Sequence, residues 1–180
     1  EQEECAWQIL NCSKSLLDLA QTLIWYGCGK YITETMVFVA FSLDTVINLC
    51  TVRHMHFRMK IYTTAFYSVA THRSINQARE ILNHSSTQLA ELIEREELDA
   101  PVPEKTIEKL IEFETDLNVM KCVMTFLENP DSLASACEFS GNDTYKDNND
   151  VVSFKERCLL ECIRLQQLTS LNMNEVWQRR

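Results

Sequence analysis

Three glycines and three prolines in a chain of 180 residues constrain its fold more than any other feature. An average chain of this length holds about four times as many. Sandwich corners, hairpin turns and phosphate-binding loops depend on such residues at set positions, so sheets and nucleotide-binding α/β folds lack what they require. An all-α chain of few, long helices remains. Apolar residues make up 46% of the sequence, enough to fill the core of one domain.

The breakers separate periodic segments. Cys5, Ile9, Cys12, Leu16, Leu19 and Leu23 alternate steps of four and three, which predicts one face of a helix from about Glu3 to Tyr26. Gly27-Cys28-Gly29 ends it. Thr33 is the expected cap of a second helix reaching about Cys50, apolar on nearly every side and therefore expected in the middle of the assembly. Glu34 and Asp44 interrupt that run, which is too short for a membrane span. A third helix from about Val52 to Thr71 is predicted to bury Met55, Met59, Tyr62, Phe66 and Val69. Ser74 caps a fourth, with Ile75, Ala78, Ile81 or Leu82, Ser85, Leu89 and Leu92 along one stripe to about Leu98.

Pro101 and Pro103 forbid continuation, and Pro103-Glu104 opens a fifth helix through Ile107, Leu110, Ile111, Leu117, Met120, Met124 and Leu127 to Glu128. Asn129-Pro130 stops it. A short helix from Asp131 or Ser132 to Phe139 and a polar loop, Ser140 to Asp150, are expected next. Ser153 opens a helix through Phe154, Cys158, Cys162, Leu165 and Leu168, and Asn172 caps a last turn around Val176 and Trp177. Residues 1–139 are thus expected as helical-repeat pairs, 140–150 as a flexible loop and 151–180 as further helices of the same array. Glu1 with no leader suggests an excised segment or a mature form, and Trp177 suggests packing that continues beyond Arg180.

Displacing the chain by 41 residues places Trp25-Tyr26 on Phe66-Tyr67, Thr33 on Ser74 and Ala40 on Ile81. Each block is a helix ending in an aromatic pair, a short turn, a hydroxyl and a second helix, the unit of tetratricopeptide and HEAT-like solenoids. A closed antiparallel bundle satisfies the same pattern.

Eight cysteines and three formal glycosylation sequons, at Asn11, Asn83 and Asn142, raise a secreted, disulfide-bonded protein as an alternative. Seven of the cysteines lie in apolar helical patterns, where a thiol packs as a small hydrophobe, and this favours a reduced, intracellular chain. No cofactor or metal is expected. Gly27-Cys28-Gly29-Lys30 lacks the earlier glycine and the hydroxyl residue of a phosphate loop, since Ile24 and Tyr31 stand there. His54, His56, Cys158 and Cys162 supply pairs where zinc needs a full ligand set. No nucleophile, base and orienting group stand together in any known catalytic spacing, so no enzyme is expected.

Charge is the sharper signal. From Thr45 to Arg79 the chain carries five cations and no acid, whereas Glu80 to Asp116 carries eleven acids against three cations. A solvated acidic crest beside its basic neighbour explains this. So does a basic strip of Arg53, Arg58 and Lys60 that meets an acidic protein surface such as a microtubule. Net charge is -9 with no basic run, which excludes free nucleic acid as the main partner.

The stretch from Tyr62 to Glu112 resembles segments of the very large cilia- and flagella-associated proteins of the axonemal central apparatus. Ala65 and Ala78 stand as the small residues near a helix crossing, and Glu94-Arg95-Glu96-Glu97 followed by Pro101-Val102-Pro103 as the charged helix end and proline-bearing turn. The resemblance implies tetratricopeptide-like helix pairs in a non-catalytic scaffold of the cytoskeleton, part of a larger chain or complex, contacting other axonemal proteins. A secreted or viral helical bundle that binds a host or receptor protein is the alternative.

Overall fold

The computed structural model describes residues 2–46, 52–72, 74–98, 104–129 and 148–178. The turn at Pro101–Pro103, the short helix expected up to Phe139 and most of the polar loop lie outside them, as do the side chains of Arg53 and Trp177. Six α-helices occupy the described residues: α1 Gln2–Trp25, α2 Thr33–Val46, α3 Val52–Ala70, α4 Ile75–Leu98, α5 Glu104–Glu128 and α6 Asn148–Gln178. The all-α class follows, and each helix from α1 to α5 packs against the next in sequence.

Glycine ends α1 in the expected way. Gly27 adopts φ 75°, the Cys28 N–H donates to the Leu23 carbonyl at 2.8 Å, and the Gly27 N–H to Ile24 at 2.9 Å, which completes a Schellman turn. One turn of 3-10 helix, Gly29–Tyr31, leads into α2. A Cβ at Gly29 would stand 2.9 Å from Thr71 Oγ1, so any other residue there would have to displace the Thr71 side chain. Thr33 does not cap α2. Its hydroxyl donates to the carbonyls of Gly29 and Ser68 at 3.1 and 3.3 Å, while the Ile32 carbonyl accepts the Met36 N–H at 2.9 Å and takes the cap position. Ser74 precedes α4 as expected, its carbonyl receiving the Ala78 N–H at 3.0 Å.

The middle of the molecule is α3, not α2. It touches α1, α2, α4 and α5, and from Ile61 to Thr71 every residue but Thr63 is buried. This segment tolerates enclosure because its polar side chains are small and turn back on their own helix: Thr64 donates to the Lys60 carbonyl at 2.7 Å, Ser68 to Ala65 at 2.8 Å and Thr71 to Ser68 at 2.9 Å. By contrast α2 lies at an edge and leaves Phe38 71% exposed.

Two further expectations shift. Burial along α1 falls on Leu10, Ser13, Leu17, Ala20 and Ile24, one position out of phase with the predicted stripe, and Cys12 and Leu19 face solvent. In α5 burial begins at Phe113, with Ile107 and Ile111 exposed. The α6 stripe of Phe154, Cys158, Cys162, Leu165 and Leu168 is buried as predicted. Its helix starts earlier, at Asn148, and runs through Asn172 without a break, since no glycine or proline interrupts it.

Candidate functional site

The three cations predicted to form a basic strip do not share a surface. Lys60 is exposed on α3, whereas Arg58 is 1% exposed and turns into the interface of α2, α3 and α4. The side chain of Arg53 lies outside the described residues. Arg58 drops out of the strip because a carboxylate reaches it first. Its Nη2 donates to Asp44 Oδ1 at 2.5 Å and to Gln88 Oε1 at 2.6 Å. The Tyr62 hydroxyl donates to the same Asp44 oxygen, and His84 Nε2 meets Asp44 Oδ2, both at 2.5 Å. The Phe41 ring packs over His84 at 4.6 Å and shields that side. Burial pushes the Tyr62 phenol well above its ordinary pKa, Asp44 adds to the rise, and Arg58 opposes it. The cluster joins three helices and is structural in kind.

Five residues along α3, about 140° around the helix, the opposite face lines a groove of about 440 Å³. Four helices contribute to it. Ile24 and Trp25 of α1 and Val119 and Met120 of α5 form its apolar part, and Lys60, Thr63 and Tyr67 of α3 run along it. From α6 the Arg164 guanidinium stacks 4.4 Å over the Trp25 ring and 5.7 Å from Tyr67, which makes it the link between α6, α1 and α3.

Charges in the groove are mostly matched. Asp116 accepts from Arg157 at 2.5 Å, Glu161 lies 3.4 Å from Arg164, and Glu112 lies 4.0 Å from His56 with both side chains about half exposed. Lys60 has no acid within 4.0 Å among the described residues. Arg164 Nε is buried without a partner, and the buried Tyr67 hydroxyl has the Glu161 carboxylate as its hydrogen-bonding neighbour. Burial, then the neighbouring Glu161 carboxylate, holds the Tyr67 phenol well above its usual range, so it stays protonated as a hydrogen-bond donor.

No local motif announces this groove, because its residues come from positions as far apart as Trp25 and Arg164. The one signal in the sequence is the aromatic pair that recurs after 41 residues, since Trp25 and Tyr67 belong to its two copies and both hold Arg164. Among the described residues no three His, Cys, Asp or Glu side chains are placed to hold a metal, and no helix is long and apolar enough to cross a membrane. Cys122, Cys158 and Cys162 are buried, as expected of core thiols, but Cys12 is an exposed free thiol. The sequon asparagines Asn11 and Asn83 are also exposed.

The chain is therefore an all-α protein of helices packed in sequence order, with a polar groove held between four of them. Its sequence is similar to cilia- and flagella-associated protein 54 of Chlamydomonas reinhardtii, at 27% identity over 101 residues. The match covers 56% of this chain and spans 3% of the length of that protein. No protein-family model and no solved structure matches the chain.

Proposed function

We propose that the chain is a non-catalytic helical scaffold segment of the ciliary or flagellar axoneme, in its central apparatus, where it contacts other axonemal proteins. The observation that carries this reading is the similarity to a cilia- and flagella-associated protein over more than half of the chain. The fold supports it. Helices stacked in order leave apolar side chains uncovered on several elements, among them Trp7 on α1, Phe38 on α2 and Leu160 on α6, each at least 63% exposed. Side chains of this kind are available for contact with other proteins. Acidic surfaces of the axoneme are met through Lys60, the exposed member of the predicted strip.

The test is to tag the protein at its own locus in ciliated cells and extract the membrane with detergent. The tag is expected to stay with the axoneme and to co-purify with central-apparatus proteins. Release with the membrane and matrix fraction overturns the assignment. Exposed Asn11 and Asn83 support the secreted alternative, which predicts a mass loss on enzymatic deglycosylation and recovery from the medium.

A further inference from the structure

We propose that the N-terminal half of α5 is a docking face for an amphipathic helix of another protein, whose apolar stripe covers Ile107 and Ile111 and whose flanking lysines or arginines meet Glu104, Glu108 and Glu114. The proposal rests on the protein-binding role above and names its face and chemistry. It begins with a helix that is apolar on two sides. Phe113, Leu117, Met120 and Met124 are buried in the core, whereas Ile111, about 160° around the helix from Phe113, and Ile107 are 41% and 47% exposed. No residue from Glu104 to Glu112 is buried. A helix with one partner needs one apolar stripe, and the second stripe has no cover among the described residues.

Charge identifies the occupant. Glu104 and Glu108 lie on one side of Ile111 and Glu114 on the other, each within about 60° of it, while Lys105 and Lys109 stand about 120° and 160° away. None of these three glutamates has a cation within 4.0 Å among the described residues. Glu112 alone in this half has a basic neighbour, His56 at 4.0 Å. Glu104, Glu108 and Glu112 also repeat one charge at every fourth position, where a helix that stabilised itself would alternate acid and base. An aliphatic ridge bordered on its own helix by carboxylates repels nucleic acid and anionic membranes. It complements an apolar helical stripe with cations on its flanks.

The experiment is an NMR titration of the ¹⁵N-labelled 180-residue chain with a capped peptide of about 18 residues, leucine at heptad positions a and d and lysine at e and g. The controls carry glutamate at e and g, or the same composition with the leucine spacing scrambled. The lysine peptide is expected to shift the Ile107, Glu108 and Ile111 amides saturably, with affinity falling as salt rises, and both controls to leave them unmoved. The triple variant Glu104→Gln, Glu108→Gln, Glu114→Gln is expected to weaken the affinity about tenfold, and Ile111→Gln about fivefold. Neither should lower the melting temperature by more than about 4 °C, since the substituted side chains lie outside the core. Equal binding of either control peptide, or affinity unchanged in either variant, overturns the face. Dimerisation of the chain alone that Ile111→Gln abolishes assigns the face to a second copy and overturns the occupant. Failure of the axonemal role instead appears as mislocalisation of the tagged protein, whatever the titration gives.

Discussion

Tyr62 and Tyr67 lie on the same helix, both are buried, and burial raises the pKa of both. One hydroxyl donates to Asp44 at 2.5 Å within a cluster that joins α2, α3 and α4, and the other has only the looser company of Glu161. The two faces of α3 thus hold the same ingredients, a tyrosine, an arginine and a carboxylate among helices, at different closeness. A finished cluster holds a fold together. A looser one of the same kind, open along a groove, contributes less to that hold.

The comparison is most severely tested at Asp44. Asp44→Ala removes the counter-charge of a guanidinium that is 1% exposed, and about 3–5 kcal/mol of unfolding free energy should be lost in urea titration. A loss below about 1 kcal/mol would sink the view of this face as a clip. The paired tyrosines come next, and their costs should differ. Tyr62→Phe deletes a hydrogen bond to a carboxylate and should cost about 1.5–3 kcal/mol. Tyr67→Phe deletes a hydroxyl with no close hydrogen bond, beside Glu161, and should change stability by less than about 1 kcal/mol. If both substitutions destabilise alike, the asymmetry between the faces is wrong. Lys60→Glu, on the groove side, should change stability by less than about 0.5 kcal/mol because the residue is exposed, whereas its neighbour Arg58 tolerates no such reversal.

The smallest effect concerns His72, beyond the end of α3 and outside both clusters. Burial, then the Lys30 charge, lowers its pKa, with a hydrogen bond to the Gly29 backbone acting the other way. The unfolded chain therefore binds this proton more readily than the folded one. Its contribution to stability is complete above the unfolded value of about 6.5 and is lost as the pH falls toward the lowered folded value. Melting temperatures at pH 7.5 and 5.5 should fall less in His72→Gln than in the parent. An equal fall in both would remove His72 from the account.

Much of the fold was legible because breakers and stripes act locally. Gly27 and Asn129-Pro130 mark helix ends that the backbone respects, and the α4 and α6 stripes lie where their spacing placed them. Two errors share one physical origin. On α1 the stripe containing Leu16 and the stripe containing Leu17 have the same step, and the buried one is that whose small members, Ser13 and Ala20, let a neighbour approach. Helix α2 is the more apolar, yet α3 occupies the centre because alanines and self-bonded hydroxyls can be surrounded closely. Apolar character and the capacity for close packing are different properties, and periodicity reports the first. The role predicted for Arg58 failed for a related reason. Charge counted along the chain is silent about which cation an acid such as Asp44, 14 residues away, will claim. The groove, assembled from four separated helices, had no local pattern to betray it.

The backward-turned hydroxyls of α3 have a mechanical consequence. Where Thr64 and Ser68 serve their own helix, few polar links tie α3 to its neighbours, among them Thr63 Oγ1 on Met120 Sδ at 3.8 Å and Arg164 beside the Tyr67 ring. Polar ties fix its position near two points, Asp44 toward one end and Thr33 on the Ser68 carbonyl toward the other. The central rod is thus gauged tightly near Asp44 and Ser68 and held more loosely between them.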